Sequence, residues 1–311
     1  MKKVLITDAV HPVLREGLEE ADYICDYEPD ISSAEVTARI GEYTGLIINS
    51  KIKADRHFID KANRLEFIAR LGSGREVVDI PYAESRGIRV YFSPEGNSNA
   101  VGEHALGMLL AFANNLIRGD REVRQQIWNR EQNRGFELKG KTIGIIGFGH
   151  TGPAFASKLK GLDMNILVYD KYRKGLKKEY GHVHETGLSE IQHEAQIISF
   201  HLPLSTETRH FCNAEFIDGC RLKPLIINTS RGSIIDTPAL LDGLQQKKLK
   251  GACLDVFENE NPVTFSQEEK QLYEALYMMD NVILSPHVAG WTSESKYLLG
   301  KVLLDKILYR T

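Results

Sequence analysis

Short apolar runs rich in β-branched residues alternate along the chain with stretches whose apolar positions recur every three or four residues. The runs KKVLIT (2–7), YTGLIINS (43–50), LEFIARLG (65–72) and IRVYFSP (88–94) predict strands. HPVLREGLEEA (11–21), with Pro12 in its first turn, ADRHFIDKA (54–62) and IPYAESRG (80–87) predict helices between them. A longer helical region runs from about Asn99 to Gln126, where Val101, Ala105, Met108, Leu109, Phe112 and Leu116 recur at helical spacing. After the polar connector NREQNRGFELKG (129–140) a second block begins. Its predicted strands are KTIGIIGFG (141–149), MNILVYD (164–170), AQIISFHLP (195–203), LIINTSRG (225–232), KGACLDVF (250–257) and NVILSPH (281–287), and a terminal helix starts near Trp291. Such alternation predicts an α/β fold with parallel sheets between helical layers. The second block is complete enough to form its own doubly wound sheet. The first is short, so the terminal helix is expected to return to it.

Composition narrows the class. The chain has 311 residues, room for two domains, and 42% hydrophobic with 26% charged residues is ordinary for a globular protein. A net charge of -3 argues against nucleic acid as a main partner, because phosphate neutralisation needs an excess of Lys and Arg. No apolar run approaches the roughly 20 residues of a membrane-spanning helix. MKKVLITDAV passes into Asp8 without a cleavage region and reads as a first strand rather than a leader. Cys25, Cys212, Cys220 and Cys253 lack C-x-x-C spacing, so reduced structural thiols in a cytoplasm are expected, and no metal site.

Between strand and helix lies GKTIGIIGFGHTGPAFASKL (140–159), in which Gly147, Gly149 and Gly152 form G-x-G-x-x-G. The motif is weak alone. Here it follows the apolar run Ile143 to Ile146, precedes helical spacing, and is followed about 20 residues on by Asp170 at the end of a second strand. Gly147 permits the tight turn, Gly149 lets backbone approach a pyrophosphate, and Gly152 lets helix and strand pack closely. Pro153 fits, because first-turn N–H groups lack intrahelical partners anyway. The phosphates would use earlier amides, near His150 and Thr151. Asp170 suits a ribose 2′-hydroxyl and favours NAD over NADP, a preference that nearby Lys171 and Arg173 weaken. A flavin nucleotide or S-adenosylmethionine can use the same turn.

Hydride transfer to or from an alcohol needs an acid/base for the oxygen and a cation for the substrate. Three predicted strand ends offer them: Arg231 in NTSRG; Asp255, Glu258 and Glu260 in CLDVFENE; and His287 in ILSPHVAG. Ligands of open parallel sheets bind at strand ends. A histidine can shuttle the proton, a neighbouring carboxylate favours imidazolium, and an arginine can grip a carboxylate through two parallel hydrogen bonds. Each residue also has a plain reading: a solvated arginine, a loop histidine, helix-capping acids.

Together these segments resemble the D-isomer-specific 2-hydroxyacid dehydrogenase family. The resemblance covers nearly the whole chain and is densest from Asn97 to Thr292, in HLPLSTETRHFCNAEF, INTSRGSIIDTPALLDGLQQKKLKGACLDVFENE and SPHVAGWT. It implies Arg231 as substrate-carboxylate clamp, His287 as acid/base and Glu260, rather than Glu258, as its partner. It implies Asp255 as holder of the nicotinamide carboxamide, His201, Pro203 and Thr206 along the adenosine side, and Thr229 in the cofactor set. It also implies two doubly wound parallel-sheet domains of Rossmann or flavodoxin type with the active-site cleft between them. Residues 1–97 plus 289–311 would bind substrate and residues 98–288 would bind NAD. Dimers through the nucleotide domain are expected, with the region 99–126 partly at the interface.

The family's substrate loop reads R-x-G-x-G-V-D-N-x-D. Here it is RLGSGREVVD (70–79): Arg70, Gly72, Gly74 and Asp79 match, while Arg75, Glu76 and Val77 depart. Amides around Ser73 and Gly74 can hold a carboxylate, Asn97 joins the substrate set, and Arg75 either meets a phosphate tail or pairs with Glu76. FGHTG, IDTPAL and IWNR, with Trp128 and Arg130, lean toward the phosphoglycerate dehydrogenase branch. The chain ends at Thr311, so no regulatory domain and no serine feedback are expected. The expected reaction is hydride transfer between NAD and C2 of a small D-2-hydroxy or 2-keto acid, with 3-phosphoglycerate, glyoxylate, hydroxypyruvate and lactate-type substrates open. A formate- or phosphite-type dehydrogenase is a weaker alternative. The alternative from another class is a non-catalytic NAD(H)-sensing module.

Overall fold

A computed structural model describes residues 2–309. The chain divides into two units, with borders after Ser98 and after Gly290. The first holds five parallel strands, β1 (Lys2–Ile6), β2 (Tyr23–Tyr27), β3 (Gly45–Ile48), β4 (Phe67–Arg70) and β5 (Arg89–Phe92), in the order β2-β1-β3-β4-β5. β3 and β4 are buried along their whole length, which is why they read as unbroken apolar runs. β2 was not predicted. It is an edge strand, half exposed, and its YICDY sequence places Asp26 beside Lys3 of β1 at 2.9 Å. The helix Ser33–Arg39 was also missed. Its start is fixed by a reciprocal capping box between Ser32 and Glu35 rather than by a long apolar stripe. The terminal helix Ser293–Tyr309 does return to this unit, where Leu303, Leu304 and Ile307 pack with Val4, Ile6, Leu14, Leu18 and Phe67.

The second unit holds seven parallel strands: β6 (Thr142–Ile146), β7 (Asn165–Tyr169), β8 (His184–Glu185), β9 (Ile197–Phe200), β10 (Leu225–Asn228), β11 (Gly251–Leu254) and β12 (Val282–Leu284). Their order is β12-β11-β10-β9-β6-β7-β8. Successive residues of a strand point to opposite faces, so Ile145 and Ile197 enter one core with Leu109 and Phe155. Ile146 and Ile198 enter another with Phe216 and Leu240. Strand order reverses between β6 and β9, the switch point at whose carboxyl side open α/β sheets bind ligands.

The expected single helical region from Asn99 to Gln126 is two helices, Ser98–Ala113 and Leu116–Arg124. The break falls at Asn114–Asn115, where Asn115 takes a left-handed φ of 50°, a conformation asparagine tolerates better than most residues. The first helix buries Ala105, Met108 and Leu109. The second buries nothing and exposes Leu116 (57%), Ile117 (55%) and Val123 (49%). Among the described residues no helix is long and apolar enough to cross a membrane.

Candidate active site

The glycine turn follows β6 directly. Gly147 has φ +91°, and a Cβ there would stand 2.3 Å from the His201 carbonyl oxygen. A Cβ at Gly152 would stand 2.3 Å from the Gly147 carbonyl, whereas one at Gly149 would meet nothing within 4 Å. Two of the glycines are therefore required by packing, and the third leaves backbone open to approach. The helix Thr151–Lys158 starts here, with His150 at its N-cap making no side-chain cap.

Asp170 ties this turn to the end of β7. Its carboxylate accepts from the backbone N–H groups of Phe148 (2.8 Å), Tyr172 (2.9 Å) and Arg173 (2.9 Å). Burial pushes its pKa up, but these amides outweigh burial and hold it below the usual carboxylate range. Both neighbouring cations are engaged. Arg173 donates to the Phe148 carbonyl (2.5 Å) and pairs with Glu179 at 2.8 Å, and Lys171 pairs with Glu207 at 2.8 Å. His201 is buried and burial pushes its pKa down to about 3, so its imidazole is neutral. It bridges Ser199 Oγ (2.9 Å) to Thr151 Oγ1 (3.2 Å), linking β9 to the start of the helix. Pro203 and Thr206 are exposed on the turn after β9. Thr229, just past β10, is buried and its Oγ1 has no hydrogen-bond partner. An open glycine amide at a helix start, a strand-end carboxylate and an unpartnered hydroxyl form a donor and acceptor set that fits a dinucleotide.

The ends of β10, β11 and β12 bring the three candidate catalytic residues together. Nδ1–H of His287 donates to Glu260 Oε2 at 2.7 Å, and Glu260 Oε1 accepts from the Phe257 N–H at 3.3 Å. Burial pushes the Glu260 carboxyl up. The bond to His287 and its charge, the Phe257 amide and the charge of Arg231 together hold it below its usual range. Glu260 thus lies within electrostatic reach of both His287 and Arg231. Arg231 sits at the head of the turn Gly232–Ile234, with Nη1 on the Ser230 carbonyl (2.8 Å) and its own carbonyl accepting from Asn228 Nδ2 (2.9 Å).

Asp255 is fully buried beneath this group. Its carboxylate accepts from Ser285 Oγ (2.5 Å), Val288 N–H (2.9 Å) and Ala289 N–H (2.9 Å). Its carbonyl accepts from the His287 N–H at 2.7 Å. His104 Nε2 lies 2.9 Å from Ser285 Oγ. This network holds the loop in which His287 takes a φ of +55°. His104 and Ser285 were missed in the sequence, although a histidine within an otherwise apolar helix was a usable signal. Glu258, two residues before Glu260, bonds His210 Nε2 at 2.7 Å.

Ser73, Gly74, Arg75 and Asn97 belong to the first unit. Gly74 is buried and Ser73 exposed on the turn after β4. The Arg75 guanidinium lies over the Phe92 ring at 5.5 Å, and Asn97 Oδ1 is buried with no hydrogen-bond partner.

The sequence profile described as D-isomer specific 2-hydroxyacid dehydrogenase, NAD binding domain, matches residues 106–289. The chain belongs to this family. A 2-hydroxyacid dehydrogenase relative, D-3-phosphoglycerate dehydrogenase of Methanocaldococcus jannaschii, is 32% identical over 99% of this chain and 57% of its own length. The chain therefore spans little more than half of that relative. Glyoxylate reductase of Pyrococcus furiosus is 32% identical over 98% of this chain and 91% of its own length. Among solved structures, D-lactate dehydrogenase of Aquifex aeolicus, complexed with NAD and lactic acid, superposes with a TM-score of 0.86 at 26% identity, covering 98% of this chain and 94% of that one.

Proposed function

We propose that the protein is an NAD-dependent dehydrogenase that interconverts a small D-2-hydroxy acid and its 2-keto acid. The carrying observation is the 2.7 Å bond between His287 Nδ1 and Glu260, in the electrostatic reach of Arg231. With Nδ1–H given to the carboxylate, Nε2 is the atom that handles the substrate proton. Glu260, held ionised, accepts from Nδ1–H and orients the imidazole toward the substrate. Arg231 takes the substrate carboxylate and polarises the C2 oxygen. Nicotinamide, when bound, supplies or accepts the hydride at C2. In reduction the C2 oxygen takes the proton from His287 Nε2; in oxidation neutral Nε2 removes it from the hydroxyl. The glycine turn, His150, Thr151, Asp170, His201, Pro203, Thr206 and Thr229 are assigned to NAD. The arrested states of Lys171 and Arg173 support NAD over NADP. Asp255 is assigned to the nicotinamide side as well, through the His287 loop it anchors. Ser73, Gly74 and Asn97 are assigned to the substrate and Arg75 to its tail.

The homologues that span phosphoglycerate, glyoxylate and hydroxypyruvate chemistry frame the substrate choice. We assign the phosphorylated acid, on the cation that Arg75 adds to the substrate loop. NADH consumption with 3-phosphohydroxypyruvate, hydroxypyruvate, glyoxylate and pyruvate tests this. Selectivity for the phosphorylated compound, lost in Arg75→Ala, is the expected result; equal rates across the panel contradict it. The protein acts as a cytoplasmic homodimer in this reading, consistent with four free cysteines and the exposed apolar face of Leu116–Arg124.

A further inference from the structure

Glu258 and Glu260 stand two residues apart after β11, yet they hold different things. Glu260 takes His287. Glu258 Oε2 accepts from His210 Nε2–H at 2.7 Å, and its Oε1 accepts from both the N–H (3.0 Å) and the hydroxyl (2.8 Å) of Thr237. Thr237 opens the helix Thr237–Gln245, three residues beyond the turn Gly232–Ile234 that Arg231 heads. The His210 N–H donates to the Ser233 carbonyl at 2.7 Å, within that same turn. From the other side the turn rests on the Glu258 segment itself: a Cβ at Gly232 would come within 1.9 Å of the Phe257 carbonyl and 2.5 Å of the Glu258 nitrogen. The turn bearing Arg231 is thus clasped between the backbone of residue 258 and the groups that its side chain gathers.

We propose that Glu258 is a positioning residue, which fixes the Arg231 turn in register with His287. The guanidinium rides on a long, half-exposed stem, so the turn at its root decides where it can reach. One short loop, 257–260, then sets both partners: residue 260 sets the histidine and residue 258 sets the arginine. Removing the Glu258 carboxylate frees Thr237 and His210 and leaves the bond between Glu260 and His287 untouched. The substrate acid should bind worse while the proton-handling pair stays intact. This inference rests on the functional reading above, because it takes Arg231 as the carboxylate clamp.

The test compares Glu258→Ala and Glu258→Gln with the wild type in three readouts. The KM for the 2-keto acid should rise about 10-fold or more in Glu258→Ala, as small misplacements of a positioning group do. It should rise less in Glu258→Gln, which keeps an acceptor oxygen toward Thr237. NADH affinity measured by fluorescence without substrate, and the pH limb set by His287, should stay at wild-type values. Wild-type KM in both variants overturns the proposal. So does a KM rise accompanied by equal losses in NADH affinity and a displaced pH limb, since that is general loosening. Should Glu258→Ala fail to fold, Glu258→Gln and His210→Gln decide by the same readouts. Absence of wild-type turnover on every acid contradicts the functional reading alone. Amide hydrogen exchange then decides the positioning claim: faster exchange at residues 232–236 with none at 288–289 supports it, and unchanged exchange at 232–236 overturns it.

Discussion

At the scale of single residues, the spacing of the acids leaves their division of labour open; the family resemblance implies Glu260 for His287, and the hydrogen bonds separate the two glutamates. Glu258 and Glu260 lie on a loop without periodicity, so nothing in their spacing tells which one faces His287. The hydrogen bonds do. By spacing Asp255 reads as one more acid after a strand, and the resemblance implies a nicotinamide contact; its burial and hydrogen bonds add an anchor for the next loop. His201 is the clearest case of a titratable group removed from acid/base work. Its folded-state pKa of about 3 lies below its ordinary 6.5. Between those values the unfolded chain binds a proton that the folded one refuses, so stability rises with pH there. It is complete above about pH 6.5 and falls at up to ~1.4 kcal/mol per pH unit as pH drops toward the folded value. Melting temperature measured from pH 7 to pH 4 should therefore decline, and less steeply in His201→Gln. Identical slopes for the two proteins would contradict this account.

At the scale of elements, the fully buried strands are the plainest to read, while of the four edge strands β5 and β12 are legible from their β-branched and aromatic runs and β2 and β8 are not. β3, β4, β9, β10 and β11 are buried from end to end, so their apolar runs announce them. In β2 the apolar residues are interrupted by Asp26 and flanked by tyrosines, and β8 is only two residues long, so neither shows a run. The helix break at Asn114–Asn115 was written as a paired asparagine inside an apolar stripe, a turn signal outweighed by the periodicity around it. Its consequence is the helix Leu116–Arg124, none of whose apolar residues is buried within its own unit. A second copy of the chain covering that face predicts a dimer in sedimentation, and Ile117→Asp should shift it to a monomer. A wild-type monomer, or an unaltered dimer in the variant, would contradict the assignment.

At the scale of the whole molecule, the candidate site gathers on the seven-stranded sheet. This sheet carries every candidate cofactor residue and all three candidate catalytic residues at the carboxyl ends of its strands, because β6, β7, β9, β10, β11 and β12 run the same way. That common direction is why a scan of strand ends in the sequence picks out residues that the structure places near one another. Of the partners that hold the site, His104 and His210 sit far in sequence from the residues they bond, whereas Ser285 and Thr237 lie near His287 and Arg231 but read only as loop and helix-start residues. The account as a whole stands on His287 as the group that moves the substrate proton. Turnover of His287→Ala, measured beside its NADH affinity, tests this most directly. The predicted result is a loss of about 10²–10⁴-fold in kcat with NADH affinity within about 2-fold of wild type; a variant that turns over at the wild-type rate would contradict it.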